Sequence, residues 1–82
     1  MTDSYRIIEI LRTLKECNEA GLEVGKVELL MLCNMTSNYA YNLGVLNTLI
    51  ELGYVWKNNP GNPNDLYLSA KGREYERDSI PF

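Results

Sequence analysis

Lys26-Val27-Glu28-Leu29-Leu30-Met31-Leu32-Cys33, then Asn34-Met35-Thr36-Ser37, then Asn38 to Leu52 closed by Gly53, is the stretch that decides how this chain is read. The first segment is almost wholly apolar, broken only by Lys26 and Glu28, and predicts a short helix buried between two neighbours. Met31 within it reads as core filler. The second segment is a tight polar turn. The third predicts a longer helix, with Tyr39, Leu43, Leu46 and Ile50 at steps of four, three and four and Leu49 beside them. Its opposite ridge, Asn38, Tyr41, Asn42 and Val45, repeats at i, i+3, i+4 and i+7 and is expected to face outward. Gly44 in mid-helix costs about 1 kcal/mol against Ala. Close packing is the preferred reason for it, with approach to a phosphate backbone as the other.

Working outward, the N-terminal segment carries Ile7, Ile10, Leu11, Leu14 and Cys17 on one helical stripe, and Gly21 is a natural stop. Tyr5 and Ile8 begin a second apolar flank on that helix, more than one neighbour requires. Leu22-Glu23-Val24 reads as a brief strand or an extended link. Beyond Gly53, Tyr54-Val55-Trp56-Lys57 and Leu66-Tyr67-Leu68-Ser69 alternate as strands. The segment between them, Asn58 to Asp65, is dense in turn formers and too long for a two-residue hairpin turn. Val55, Leu66 and Leu68 are expected to face the helices, with Tyr54, Trp56 and Tyr67 on the other face. Ser69 is placed to cap a last, highly charged helix from Ala70 to about Asp78.

Eighty-two residues, 45% of them hydrophobic, make one small domain over 1–82 with a single core. No run of about 18 apolar residues predicts a membrane span, and no N-terminal signal pattern is present. Cys17 and Cys33 lie inside helical patterns, which favours free buried thiols and a reducing, cytoplasmic setting. With no His and two Cys, neither a structural metal nor a cofactor is expected. No Gly-rich phosphate loop and no Ser or Cys triad stands out, so no enzymatic role is expected.

The predicted order, helices near 4–19, 25–33 and 37–52, a hairpin at 54–57 and 66–69, and a closing helix near 70–78, makes an α+β fold, mostly α. Two helices on a short turn have helix-turn-helix geometry. The local residues resemble the winged helix-turn-helix superfamily. Leu49-Ile50-Glu51-Leu52-Gly53-Tyr54-Val55 is similar to its LxxxGxI step into the wing. Leu66-Tyr67-Leu68-Ser69-Ala70-Lys71-Gly72-Arg73-Glu74-Tyr75 is similar to its YxLTxKGxxF step out of the wing, with Ser69 where Thr is usual and Leu66 where Tyr is usual. The resemblance covers nearly the whole chain and is nearest to the small regulators of archaea, their viruses and plasmids, more loosely to the MarR and PadR types. It implies sequence-specific binding of duplex DNA by a homodimeric transcription regulator.

On that resemblance the second helix of the pair, about 37–52, enters the major groove and the wing, 54–69, lies on flanking DNA. Asn38 and Asn42 would suit adenine, Val45 a thymine methyl, and Ser37 and Tyr41 bases or phosphates. Residues 38–52 hold no Lys or Arg, and the net charge is −3. Phosphate anchors must therefore come from Lys26, Lys57, Lys71 and Arg73, while Asn58, Asn59 and Asn62 would touch phosphates or a minor groove. Surplus apolar residues, Tyr5, Ile8, Tyr75, Ile80 and Phe82, point to a homodimer interface, or to the tail packing on its own first helix. The acidic balance supports an alternative: a winged helix serving as a protein-interaction module, without direct DNA binding.

Overall fold

The computed structural model describes residues 3–57 and 65–79. In chain order they form α1 (Asp3–Glu19), α2 (Lys26–Leu32), α3 (Tyr39–Glu51), β1 (Val55–Lys57), β2 (Leu66–Leu68) and α4 (Ala70–Ser79). The fold is thus mostly helical, with one small antiparallel sheet in which Val55 pairs Leu68, Trp56 pairs Tyr67 and Lys57 pairs Leu66. No helix among the described residues is long and apolar enough to cross a membrane.

The α1 stripe behaves as its spacing requires. Ile10, Leu11 and Leu14 are fully buried and Cys17 nearly so, with Ile7 on the margin. Leu29 and Leu30 of α2, Leu46 and Leu49 of α3, and Val55, Leu66 and Leu68 of the hairpin close the same core. The hairpin faces follow the period of two, with Trp56 and Tyr67 outside. Tyr54 departs from that face: it is half-buried and meets Tyr75 edge-on at 5.3 Å between ring centroids.

Both ends of the α2–α3 pair are closed by backbone geometry. At the end of α3, Gly53 takes φ 85, its N–H reaches Ile50 O, and Tyr54 N–H reaches Leu49 O. This is the paired bonding of a Schellman stop, which needs the left-handed region glycine tolerates. The end of α2 uses the same device with Asn34 at φ 59, Asn34 N–H on Met31 O and Met35 N–H on Leu30 O. Asn is the residue that most readily replaces glycine there. The consequence is that Met35 swings inward and is buried, so the turn contributes to the core and is not wholly polar as its composition suggested.

Two expectations for the helices are corrected. Helix α2 is covered on one side only: Val27, Met31 and Leu32 are each more than half exposed, so Met31 is not core filler. On α3 the innermost line is Asn42, Leu46 and Leu49, with Val45 half-buried against the core, so the buried arc is rotated toward the ridge expected to face out. Gly44 is exposed, and a Cβ there would meet nothing within 4 Å, so close packing is not its reason.

The hairpin is tied in at three places. Asn18 of α1 donates to Leu66 O and accepts from Leu68 N, at 3.3 and 2.8 Å. Leu22-Glu23-Val24 is an extended link rather than a strand, yet Val24 O accepts from Leu66 N at 3.2 Å. The Ser69 hydroxyl lies 2.6 Å from Gly53 O and 3.0 Å from Tyr54 O, and it accepts from Gly72 N at 3.0 Å. Ser69 therefore caps α4 as expected and joins it to the end of α3. Gly72 is required by contact, since a Cβ there would stand 2.2 Å from Tyr54 O.

Candidate nucleic-acid interface

The exposed side of α3 runs through Asn38, Tyr41, Gly44 and Thr48, with Ala40 beside it. Ser37 and Asn38 stand exposed just before the helix. Asn38 occupies the N-cap position, but its side chain makes no capping hydrogen bond. Thr48 is exposed, with its hydroxyl turned back to donate to Gly44 O at 2.9 Å. The ridge is therefore uncharged and built largely of small side chains, with one aromatic. Ala40, Gly44 and Thr48 were missed by periodicity alone. The rotated buried arc of α3 is what brings them outside.

Asn42 is corrected from an outward base reader to a buried structural residue, 3% exposed. Its Nδ2 donates to Met35 O at 3.0 Å, and its Oδ1 accepts from Arg6 Nε at 2.8 Å. Both ends of the amide are thus engaged inside the protein, and burial keeps the side chain from an adenine edge. Val45 is likewise corrected: it packs against the core and lines a groove with Ile7, Leu49, Leu52, Tyr54 and Tyr75, so its methyls are not offered to a thymine.

Arg6 has a part that sequence spacing did not assign. Besides bonding Asn42, its guanidinium carbon stands 4.9 Å from the centroid of the Tyr41 ring. One α1 side chain thereby grips α3 on its inner amide and its outer aromatic. A small cleft lined by Tyr5, Arg6, Asn34, Ser37 and Asn38 opens beside this grip.

The cations are dispersed. Lys57 is exposed at the end of β1, and Lys26 is half-exposed at the start of α2. Lys71 donates to Leu52 O at 2.9 Å and lies 4.5 Å from the Tyr54 ring centroid, so it closes the end of α3. Arg73 lines a charged cleft with Lys15, Glu19, Glu74, Glu76 and Arg77 of α1 and α4, apart from any α3 residue. Asn58, Asn59 and Asn62 lie outside the described residues, as do Ile80 and Phe82. Of the other residues assigned to a dimer surface, Tyr5 is exposed, Ile8 is half-buried, and Tyr75 is half-buried against Tyr54. On the outer face of the hairpin, a hydrogen bond to Asp65 holds the Tyr67 phenol above its ordinary pKa, with the nearby Asp65 charge adding to it.

Neither cysteine is paired. Both thiols are buried, and burial pushes their pKa values above the ordinary thiol range, with Glu16 adding to the effect at Cys17. Among the described residues no cluster of His, Cys, Asp and Glu is arranged to hold a metal. Compared with known proteins, the chain matches no family model, no curated protein and no solved structure.

Proposed function

We propose that the chain is a winged-helix domain that binds duplex DNA as a homodimer and regulates transcription. In this reading α3 presents its N-terminal half to the major groove, and the hairpin with the loop beyond Lys57 forms a wing on flanking DNA. The observation that carries it is the outward ridge of α3. Asn38 and Tyr41 offer polar groups, Thr48 is exposed beside them, and Ala40 and Gly44 leave the backbone free to approach closely. Asn and Thr can read base edges without a charge, and a threonine methyl can meet that of thymine. Lys57, which is exposed, and Lys26, which is half-exposed, are the cations suited to phosphate contact. Work inside the cell agrees with two buried free thiols.

The reading is tested with fragments selected from random DNA, each compared with a scrambled duplex at several salt concentrations. Asn38→Ala is expected to cost about 1–3 kcal/mol on the preferred site and to relax preference at one position per half-site. Lys57→Ala is expected to weaken all duplexes alike and to flatten the salt dependence by about one unit of slope. If both variants bind every duplex as the parent does, α3 and the hairpin are not the DNA face. Sedimentation at micromolar concentration tests the homodimer, a stable monomer counting against it. A second reading, a protein-interaction module, is favoured by one observation: the absence of Lys and Arg from α3 together with the uncovered apolar side of α2.

A further inference from the structure

Helix α2 leaves an apolar face open to solvent. Leu22, Val27, Met31 and Leu32 are 57%, 52%, 59% and 58% exposed. Val27 and Met31 are one helical turn apart, and Leu22, Met31 and Leu32 line one shallow groove together with Val24, Glu23 and Glu28. Single apolar side chains on a surface are ordinary, but a contiguous group of four marks a contact surface. Met is the side chain best able to adapt its shape to an incoming partner.

The charges around the groove select its occupant. Among the described residues, its only acidic or basic lining groups are the carboxylates of Glu23 and Glu28. Lys26 belongs to α2 but does not line it. Duplex DNA is therefore repelled, since the face offers carbon and negative charge where phosphates need cations. A second copy is disfavoured too: a two-fold pairing of this face would set Glu23 and Glu28 against their own counterparts, on chains that each carry a net charge of −3. What complements the groove is an apolar ridge flanked by positive charge.

We propose that the outer face of α2 docks a cationic amphipathic helix of another protein, its aliphatic ridge on Leu22, Met31 and Leu32 and its Lys or Arg side chains toward Glu23 and Glu28. An apolar helix face laid in such a groove is read through anchors at i, i+3 or i+4, and i+7. Helix α2 has seven residues, about 10 Å of length, which matches two turns of such a partner. The docking is separate from the DNA reading, which uses α3, the hairpin and Lys26, none of which lines this groove.

The test uses the full chain and two synthetic helices that share one leucine ridge, flanked by Lys in the first and by Glu in the second. Isotope-labelled protein is titrated with each by NMR. The Lys helix should give saturable shifts at Leu22, Val27, Met31 and Leu32, and the Glu helix should bind at least about tenfold more weakly. Met31→Asp, at an exposed position, should reduce Lys-helix affinity by about tenfold while circular dichroism stays that of the parent. Gly25 N donates to Glu28 Oε1 at 3.3 Å; Glu23→Lys leaves that bond intact and should narrow or reverse the preference between the helices. Equal binding of both helices, shifts confined to other surfaces, or self-association abolished by Met31→Asp would each overturn the proposal. Shifts at Leu22, Met31 and Leu32 on adding duplex DNA would do so as well.

Discussion

Arg6 Nε donates to Asn42 Oδ1 at 2.8 Å, joining the first turn of α1 to the first turn of α3 across 36 residues of chain. The same Asn42 amide donates to Met35 O, so one buried side chain ties three segments together. Asn42→Ala leaves the Met35 carbonyl unpaired and is expected to cost about 1–3 kcal/mol of stability. In urea denaturation, Arg6→Ala and Asn42→Ala should couple by about 0.5–3 kcal/mol in a double-mutant cycle. Strict additivity would show that the bond does not form in solution. Asn38→Ala, on the exposed side, should stay within about 0.5 kcal/mol of the parent.

The glycines of α3 and α4 should respond to alanine with opposite signs. At Gly72 the added methyl would stand 2.2 Å from Tyr54 O and 2.7 Å from Leu68 Cδ1, so something must move. Overpacking of this kind costs about 1–3 kcal/mol. At Gly44 the methyl would meet nothing within 4 Å, and Gly44→Ala should stabilise by about 0.5–1 kcal/mol. Thermal melts of the two variants check both signs, and a destabilised Gly44→Ala would contradict the open surface there.

Glu76 is 2% exposed, with Oε2 at 3.6 Å from Lys15 Nζ, and Oε1 has no hydrogen-bond partner among the described residues. A buried charge so incompletely paired contributes little. Glu76→Met is expected to be neutral or to stabilise by about 1–4 kcal/mol. Lys15→Met, which strands the carboxylate, should instead destabilise by about 1–3 kcal/mol. Guanidinium midpoints of the two variants should therefore fall on opposite sides of the parent or differ by at least that much.

The two thiols give a pH prediction. Burial raises the pKa of Cys17 and Cys33 in the folded chain above the unfolded value. The folded state thus holds more protons between the two values, so the stabilising term is fully present below the unfolded thiol pKa and is lost as pH rises through the folded one. Native alkylation by iodoacetamide near neutral pH should be slow and should accelerate sharply in urea. Replacing both thiols by Ala should flatten the alkaline end of the stability profile. Rapid native labelling at pH 7 would contradict their burial.

Where one element's own spacing decided its environment, the residues were legible in advance. The α1 stripe, the hairpin faces apart from Tyr54, the Gly53 stop and the Ser69 cap are of this kind, because a helical period, an alternation or a turn residue acts over a few positions. Asn42 was not legible. Its polarity argued for the surface, and the partner that lets it be buried, Arg6, lies 36 residues away. Val45 moved inward with the same rotation of α3. Helix α2 misled in the other direction: an apolar run reports that a helix can be buried on all sides, not that the chain supplies a neighbour for each. Met35 followed from the left-handed Asn34, a backbone choice that composition does not announce.

The Asn18 and Val24 contacts to β2 decide what a second chain could do to this sheet. They occupy Leu66 N, Leu66 O and Leu68 N with a side chain and a link rather than with a strand. Among the described residues, only the edge of β1 is left to receive another strand. Two copies could join there, β1 to β1, and the four-stranded product would end in two β2 edges already occupied. Among the described residues, growth by strand addition would therefore stop at two copies.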